Sequence, residues 1–176
     1  MKRPLFLLLA LALVTALVAL WQQPQQLPQA DAQADLFFPD YDARRIVRLE
    51  IAQQGEGVQL TKNGEDWQVA SLGAESWFPA DRSRIHAALG IFGDLERGIL
   101  VSRNPEKQKL YQVGTEGLRL KLVAEHNVVL GELVIGKNGP DFGSSYVRLA
   151  TADDVYLVGQ SLLGIFSIAA DDWKVH

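Results

Sequence analysis

Seventeen residues near the amino end, Leu5 to Trp21 (LFLLLALALVTALVALW), carry no charge and a single hydroxyl at Thr15. As a helix rising about 1.5 Å per residue the run measures roughly 25 Å, close to a hydrocarbon thickness of about 30 Å. Such a segment puts everything behind it on one side of a bilayer. Lys2, Arg3 and the amino terminus stand in front, and no further Lys or Arg occurs before Arg44. The positive-inside rule then keeps Met1 in the cytoplasm and exports the rest. The expectation is a single pass through a bacterial inner membrane with the C-terminal domain in the periplasm.

The run is longer than a secretory h-region of about 7–15 residues. The nearest Ala-x-Ala patterns, Ala30-Asp31-Ala32 and Ala32-Gln33-Ala34, lie well behind it and beyond Pro24 and Pro28. Trp21 at its distal edge suits the headgroup level. An uncleaved signal anchor over residues 1–21, seated through Leu5, Phe6, Leu13, Val18 and Trp21, is therefore favoured over a cleaved signal peptide. With no cysteine in the chain, a lipid anchor on cysteine is excluded, and an exported domain must rely on packing instead of disulfides.

Residues 22–34, QQPQQLPQADAQA, have one charge and almost nothing apolar to bury, the composition of a tether. Residues 35–176 fit one domain. With Lys2, Arg3 and Asp31 set aside, the 17 basic and 21 acidic residues of the chain become 15 and 20, and no basic stripe interrupts that excess. A nucleic-acid partner is disfavoured, since tracking phosphates needs a cationic surface. At the domain's start Leu36, Phe37, Phe38, Pro39 and Tyr41 cluster; plugging the core is the simpler role, docking on a membrane partner the alternative. Trp77 and Phe78 are the other candidate contact residues, for a partner or a stacked ligand.

From Arg45 the pattern has period two: Val47, Leu49 and Ile51 predict a half-buried strand. Val58 and Leu60, then Trp67 and Val69, flank Asn63-Gly64, which predicts a hairpin through a type I′ turn with positive φ at both residues. After Pro79 the period changes. Asp81 can cap a helix bearing Ile85, Leu89, Phe92 and Leu95 on one face and ending near Gly98. Ile99 to Val101 reads as a short strand, and Pro105 to Tyr111 as a helical turn or two. Leu118, Leu120 and Leu122 alternate in a further strand, His126-Asn127 turns it, and Val128 to Ile135 returns with Gly131 as a candidate bulge. Gly136 to Gly143 reads as a loop. Tyr146–Leu149 and Val155–Val158 are predicted strands around Asp153-Asp154, followed by a final helix over Ser161 to Ala170 that buries Leu162, Ile165, Phe166 and Ala169 and is closed over by Trp173. The order predicts an α+β domain of antiparallel β-meanders, each followed by a packed helix. VQLTKNGEDWQV and YVRLATADDVYLV echo one another, so a weak internal duplication stays open.

Catalytic patterns are sparse. Gly131 to Asn138 matches a phosphate-binding loop up to its last position, but strand-like middle residues and Pro140 behind it reject that reading, and no nucleotide is expected. His86, His126 and His176 stand apart without ligand spacing, so neither a metal nor another cofactor is predicted. The pairs Asp153-Asp154 and Asp171-Asp172 suit capping or solvation. Ser144-Ser145 lacks a nucleophile elbow. No catalytic residue is assigned.

Several stretches recur together in one known family: the Ile46 to Ile51 strand; Asn63-Gly64-Glu65-Asp66-Trp67; Pro79-Ala80-Asp81 before a helix; Leu133-Val134-Ile135-Gly136-Lys137; Tyr146-Val147-Arg148; and Val155-Tyr156-Leu157-Val158. In that order, over nearly all of Arg45 to Trp173, the chain resembles the domain-of-unknown-function family 4340. The resemblance implies a membrane-tethered extracytoplasmic protein that accompanies ABC-type transporter or gliding-motility auxiliary components, and it supplies no catalytic residues. Two expectations follow. One is a non-enzymatic accessory protein docking on an integral-membrane partner. The other is a free-standing envelope binding module for glycan, peptidoglycan or a small ligand.

Overall fold

The computed structural model describes residues 36–175; the anchor over 1–21 and the tether over 22–34 lie outside them. Nine strands form one sheet: β1 (Ile46–Gln53), β2 (Glu56–Asn63), β3 (Asp66–Ser71), β4 (Phe78–Pro79), β5 (Ile99–Ser102), β6 (Leu118–Ala124), β7 (Val129–Asn138), β8 (Ser145–Leu149) and β9 (Val155–Val158). Their order across the sheet is β4-β3-β2-β1-β6-β7-β8-β9-β5, and every pairing is antiparallel. Helices are few, so the α+β expectation holds as a mostly antiparallel sheet with sparse helices. Among the described residues no helix is long and apolar enough to cross a membrane.

The alternation read from the sequence decides the buried face. Leu49, Ile51, Val58, Leu60, Val69, Leu120, Leu133 and Val147 point the same way and are fully or almost fully buried. Helix α1 (Arg82–Asp94) adds Ile85, Ala88, Leu89 and Phe92 to the same cluster. Its start is fixed as the sequence predicts: Asp81 accepts from the backbone N–H of Ser83 at 2.8 Å and of Arg84 at 3.2 Å, satisfying donors a helix leaves free. Each large apolar side chain removed from water here contributes about 1.5–3 kcal/mol.

Three local readings are corrected. The β2–β3 loop is Gly64-Glu65, because Asn63 pairs with Asp66. Gly64 has φ 63° and Glu65 is not in the positive-φ region, a pattern of the II′ rather than the I′ turn. Two successive positive φ values occur instead at Gln54-Gly55, 52° and 91°, joining β1 to β2, and at His126-Asn127, 56° and 63°, between β6 and β7. Second, the Gly136–Gly143 loop is shorter than read, since β7 runs on to Asn138 and pairs there with Ser145.

The third correction concerns Ser161 to Ala170, which forms turns and bends instead of a helix, before a 3-10 turn over Ala170–Trp173. The Ser167 Oγ takes a backbone donor a helix would use, accepting from Ala169 N–H at 3.1 Å, a competition that disfavours helix, and Ser145 Oγ accepts from Leu162 N–H at 2.9 Å at the start of the segment. Leu162 and Phe166 are nevertheless buried, Ile165 is half-buried, Ala169 is exposed, and Trp173 is wholly buried with its indole N–H donating to Ser167 O at 2.9 Å. Only the first hairpin of the echoed pair is therefore followed by a helix.

The reverse side of the sheet is covered in part by α2 (Gln108–Tyr111), a single turn behind a 3-10 turn at Pro105–Lys107. Val113, Val134 and Val155 make a small cluster there with Tyr111 and Tyr146. Arg148, 8% exposed, is held in place by carbonyls: Nε donates to Val113 O at 2.7 Å, and one terminal nitrogen to Leu149, Ala150 and Ala152 O at 3.0, 3.2 and 3.2 Å. Burial pulls its pKa down, with the Arg119 charge adding to the effect. Arg148 is thus a structural staple joining β8, the turn behind it and the α2 segment.

Candidate functional site

Two surfaces could carry function. The first is a groove of about 290 Å³ between α1, the β2–β3 hairpin and the residues leading into β1. Arg82 and His86, four apart on α1, face it from one side, an i, i+4 relation that brings side chains together. Lys62 and Glu65 face it from the hairpin and Arg44 from the third wall, with Ile46, Trp67 and Leu89 toward the core. Arg82 ties helix to hairpin, donating to Glu65 O and, at 2.9 Å, to Asp66 Oδ1. Arg44 is gripped by Asp42 at 3.0 Å, and its guanidinium holds the Asp42 carboxyl below the usual carboxylate range. Lys62 has no ion pair among the described residues. The groove is lined by Lys62, two arginines paired with Asp42 and Asp66, an imidazole and one carboxylate over an apolar floor, a mixed polar lining of the kind that orients a small ligand.

The second surface lies at the β4 edge. Trp77 is 40% and Phe78 43% exposed, and Lys174 Nζ stands 3.8 Å from the centre of the Phe78 ring. Phe78 is fixed by pairing with Val69 on β3. Beside it Arg84 lies over the Trp173 ring at 5.0 Å. Trp173 is buried, so the exposed ring held in a defined position with a cation next to it is Phe78, the chemistry of a contact surface.

Of the other contact candidates Phe37 is buried, and Phe38 and Tyr41 are half-buried. Phe37 is buried and meets Tyr156 edge-on at 5.4 Å. Phe38 and Tyr41 pack on Phe92 at 5.7 and 6.2 Å, and the Tyr41 hydroxyl donates to Leu89 O. A Cβ on Gly131 would come within 2.3 Å of the Phe38 ring. The cluster thus packs on the core through Phe92 and Tyr156 while Phe38 and Tyr41 keep part of their surface exposed. Leu5, Phe6, Leu13, Val18 and Trp21 lie outside the described residues.

The groove residues were visible in the sequence only as a surface histidine; the Arg82–His86 spacing was the available signal, and Lys62 and Arg44 carried none. Gly131–Asn138 lies inside β7, the strand-like character that rejected it as a phosphate loop. The acidic pairs serve as local partners: Asp153 accepts from Gln108 at 2.9 Å, Asp154 from Tyr156 at 3.3 Å, Asp171 from Lys174 at 2.6 Å, and Asp172 from Ser167 at 2.5 Å. Among the described residues no group of three His, Cys, Asp or Glu side chains could hold a metal ion.

Residues 67–176 match the model of a family described as a domain of unknown function, DUF4340. The matched span starts at Trp67, so β1, β2 and the first turn residues quoted for the resemblance lie ahead of it. No curated protein and no solved structure matches.

Proposed function

The chain belongs to the DUF4340 family, and from that premise we propose that it is a non-enzymatic accessory protein anchored in the bacterial inner membrane by residues 1–21. Its folded domain stands in the periplasm and docks on an integral-membrane component of an ABC-type transport or envelope system. The Leu5–Trp21 run and the placement of Lys2 and Arg3 support the address. The observation that carries the docking role is Phe78, part-exposed on an edge where strand pairing and Lys174 hold it in position, with Trp77 part-exposed directly before it. Aromatic side chains with few rotors lose little entropy on contact, and such residues dominate binding energy at interfaces.

Purification of the full chain from membranes in mild detergent tests this. A multispanning protein in stoichiometric amount is expected with the wild type, and its loss with Trp77→Ala/Phe78→Ala. A partner retained by that double variant refutes the assigned surface, and a chain that always purifies alone refutes the accessory role.

A second reading, an envelope module binding a glycan, peptidoglycan or small ligand, rests on the polar groove at Arg44, Lys62, Arg82 and His86. It predicts a lone protein that carries its ligand through purification.

A further inference from the structure

The tripeptide Lys-Asn-Gly occurs twice, at 62–64 and at 137–139. An asparagine followed by glycine is chemically labile, because a residue without a Cβ lets its own backbone nitrogen approach the preceding side-chain amide. With the same immediate neighbours, the two asparagines start from the same local chemistry, so a difference between them comes from the fold. Their surroundings are opposite. Asn63, Gly64 and Glu65 are exposed at the β2–β3 turn. Among the described residues the Gly64 N–H has no backbone acceptor, and a Cβ built on Gly64 would meet nothing within 4 Å.

At the second tripeptide the same atoms are held. The Gly139 N–H donates to Ser144 O at 2.9 Å, so the nitrogen that would attack is already engaged. A Cβ at Gly139 would overlap Ser144 Oγ and lie 2.8 Å from the Leu157 side chain, so the backbone there has little room to turn. Asn138 pairs with Ser145 at the end of β7, and its Oδ1 is sealed from solvent.

We propose that Asn63 is a site of spontaneous deamidation and that the fold protects Asn138 from the same reaction. A solvent base takes the Gly64 amide proton, and the nitrogen attacks Asn63 Cγ. The bond from Cγ to the side-chain nitrogen breaks, and that nitrogen leaves as ammonia with a proton from water. Water then opens the five-membered imide at either carbonyl, leaving aspartate or isoaspartate at position 63. Either product disturbs the hairpin. Asn63 stands directly across from Asp66, so the new carboxylate faces a like charge that Arg82 already partners at 2.9 Å, a destabilising arrangement. Isoaspartate also lengthens the backbone by one atom in a turn that sets strand register. Lys62 and Glu65 carry the change to the wall of the groove. The site depends on neither the accessory reading nor the Trp77–Phe78 surface.

The test incubates the full-length chain at mildly alkaline pH, folded in mild detergent and unfolded in denaturant, and follows tryptic peptides by mass. Trypsin cuts after Lys62 and Lys137, so each asparagine opens a peptide of its own. In the folded protein the conversion of amide to carboxylate is expected at least about fivefold faster at residue 63 than at residue 138, the factor that one net hydrogen bond is worth. In denaturant the two rates converge. Isoaspartate-specific methylation labels the first peptide, and Asn63→Ser abolishes the change there while the slow one at residue 138 stays as it was. Equal rates in the folded protein, or a difference that persists undiminished in denaturant, overturn the proposal. Asn63→Asp is expected to speed amide hydrogen exchange over residues 63–66, and unchanged exchange there overturns the consequence for the hairpin. No membrane partner enters these readings, so the accessory role and this site fail separately.

Discussion

Tyr41 shows how much one side chain can tie together. Its ring stacks on Phe92 and its hydroxyl donates to the backbone of α1 at Leu89, so the entry to the domain is locked to the helix. Burial, with the Asp42 charge adding to it, pushes the phenol up to about 12. In the unfolded chain it titrates near 10. Between these values the unfolded state loses the proton that the folded state keeps, so this contribution to stability is whole below about pH 10 and falls as pH rises toward 12. Tyr41→Phe is expected to cost about 1 kcal/mol at neutral pH through the lost hydrogen bond and to flatten the alkaline decline. Denaturant midpoints at neutral and alkaline pH, compared between the two proteins, check both. Arg148 was harder to foresee: an arginine on an alternating strand reads as a solvent-facing residue, and the four carbonyls that hold it come from a segment 35 residues earlier and from the turn behind β8.

Among the elements, α1 was the most legible because its signals are local. A cap, an apolar stripe and a change of period lie within one stretch of sequence. Asp81→Ala should cost about 0.5–2 kcal/mol, with Asp81→Asn recovering most of it; chemical denaturation followed by circular dichroism measures the difference. The bulge read at Gly131 is present too: Leu122 faces Gly131 while Val123 faces Val129, leaving Leu130 as the extra residue. The hairpin turn was legible as a hairpin but not in register. Asn-Gly is a preference of the turn alone, whereas pairing Leu60 with Val69 and Lys62 with Trp67 puts the loop at Gly64-Glu65, and register follows the buried face. In the failed last helix Leu162 and Phe166 were read correctly as buried, but Ile165 is half-buried and Ala169 exposed, and the Ser167 hydroxyl takes a backbone donor at Ala169.

For the molecule as a whole, strand adjacency was the least readable property. β5 follows α1 directly yet lies beyond β9, more than fifty residues later in the chain, and no local pattern encodes that crossing. The groove and the two edges arise from this wiring, so the candidate surfaces stayed hidden while the core did not. The β4 edge allows a prediction at this scale. Asp81 N–H donates to Trp173 O at 2.7 Å beside the Ala80–Lys174 bridge, so ending the chain at residue 169 removes these backbone partners and the buried indole together. Loss of Trp173 alone carries a cost of about 3–5 kcal/mol, and the shortened protein should be digested by protease under conditions the complete one survives.

Because residues 173–175 clasp the segment that starts α1, almost a hundred positions earlier, this side of the fold cannot latch from its front end alone. It closes only after Trp173 and its neighbours have been made, and until then the Phe78 ring lacks Lys174 beside it.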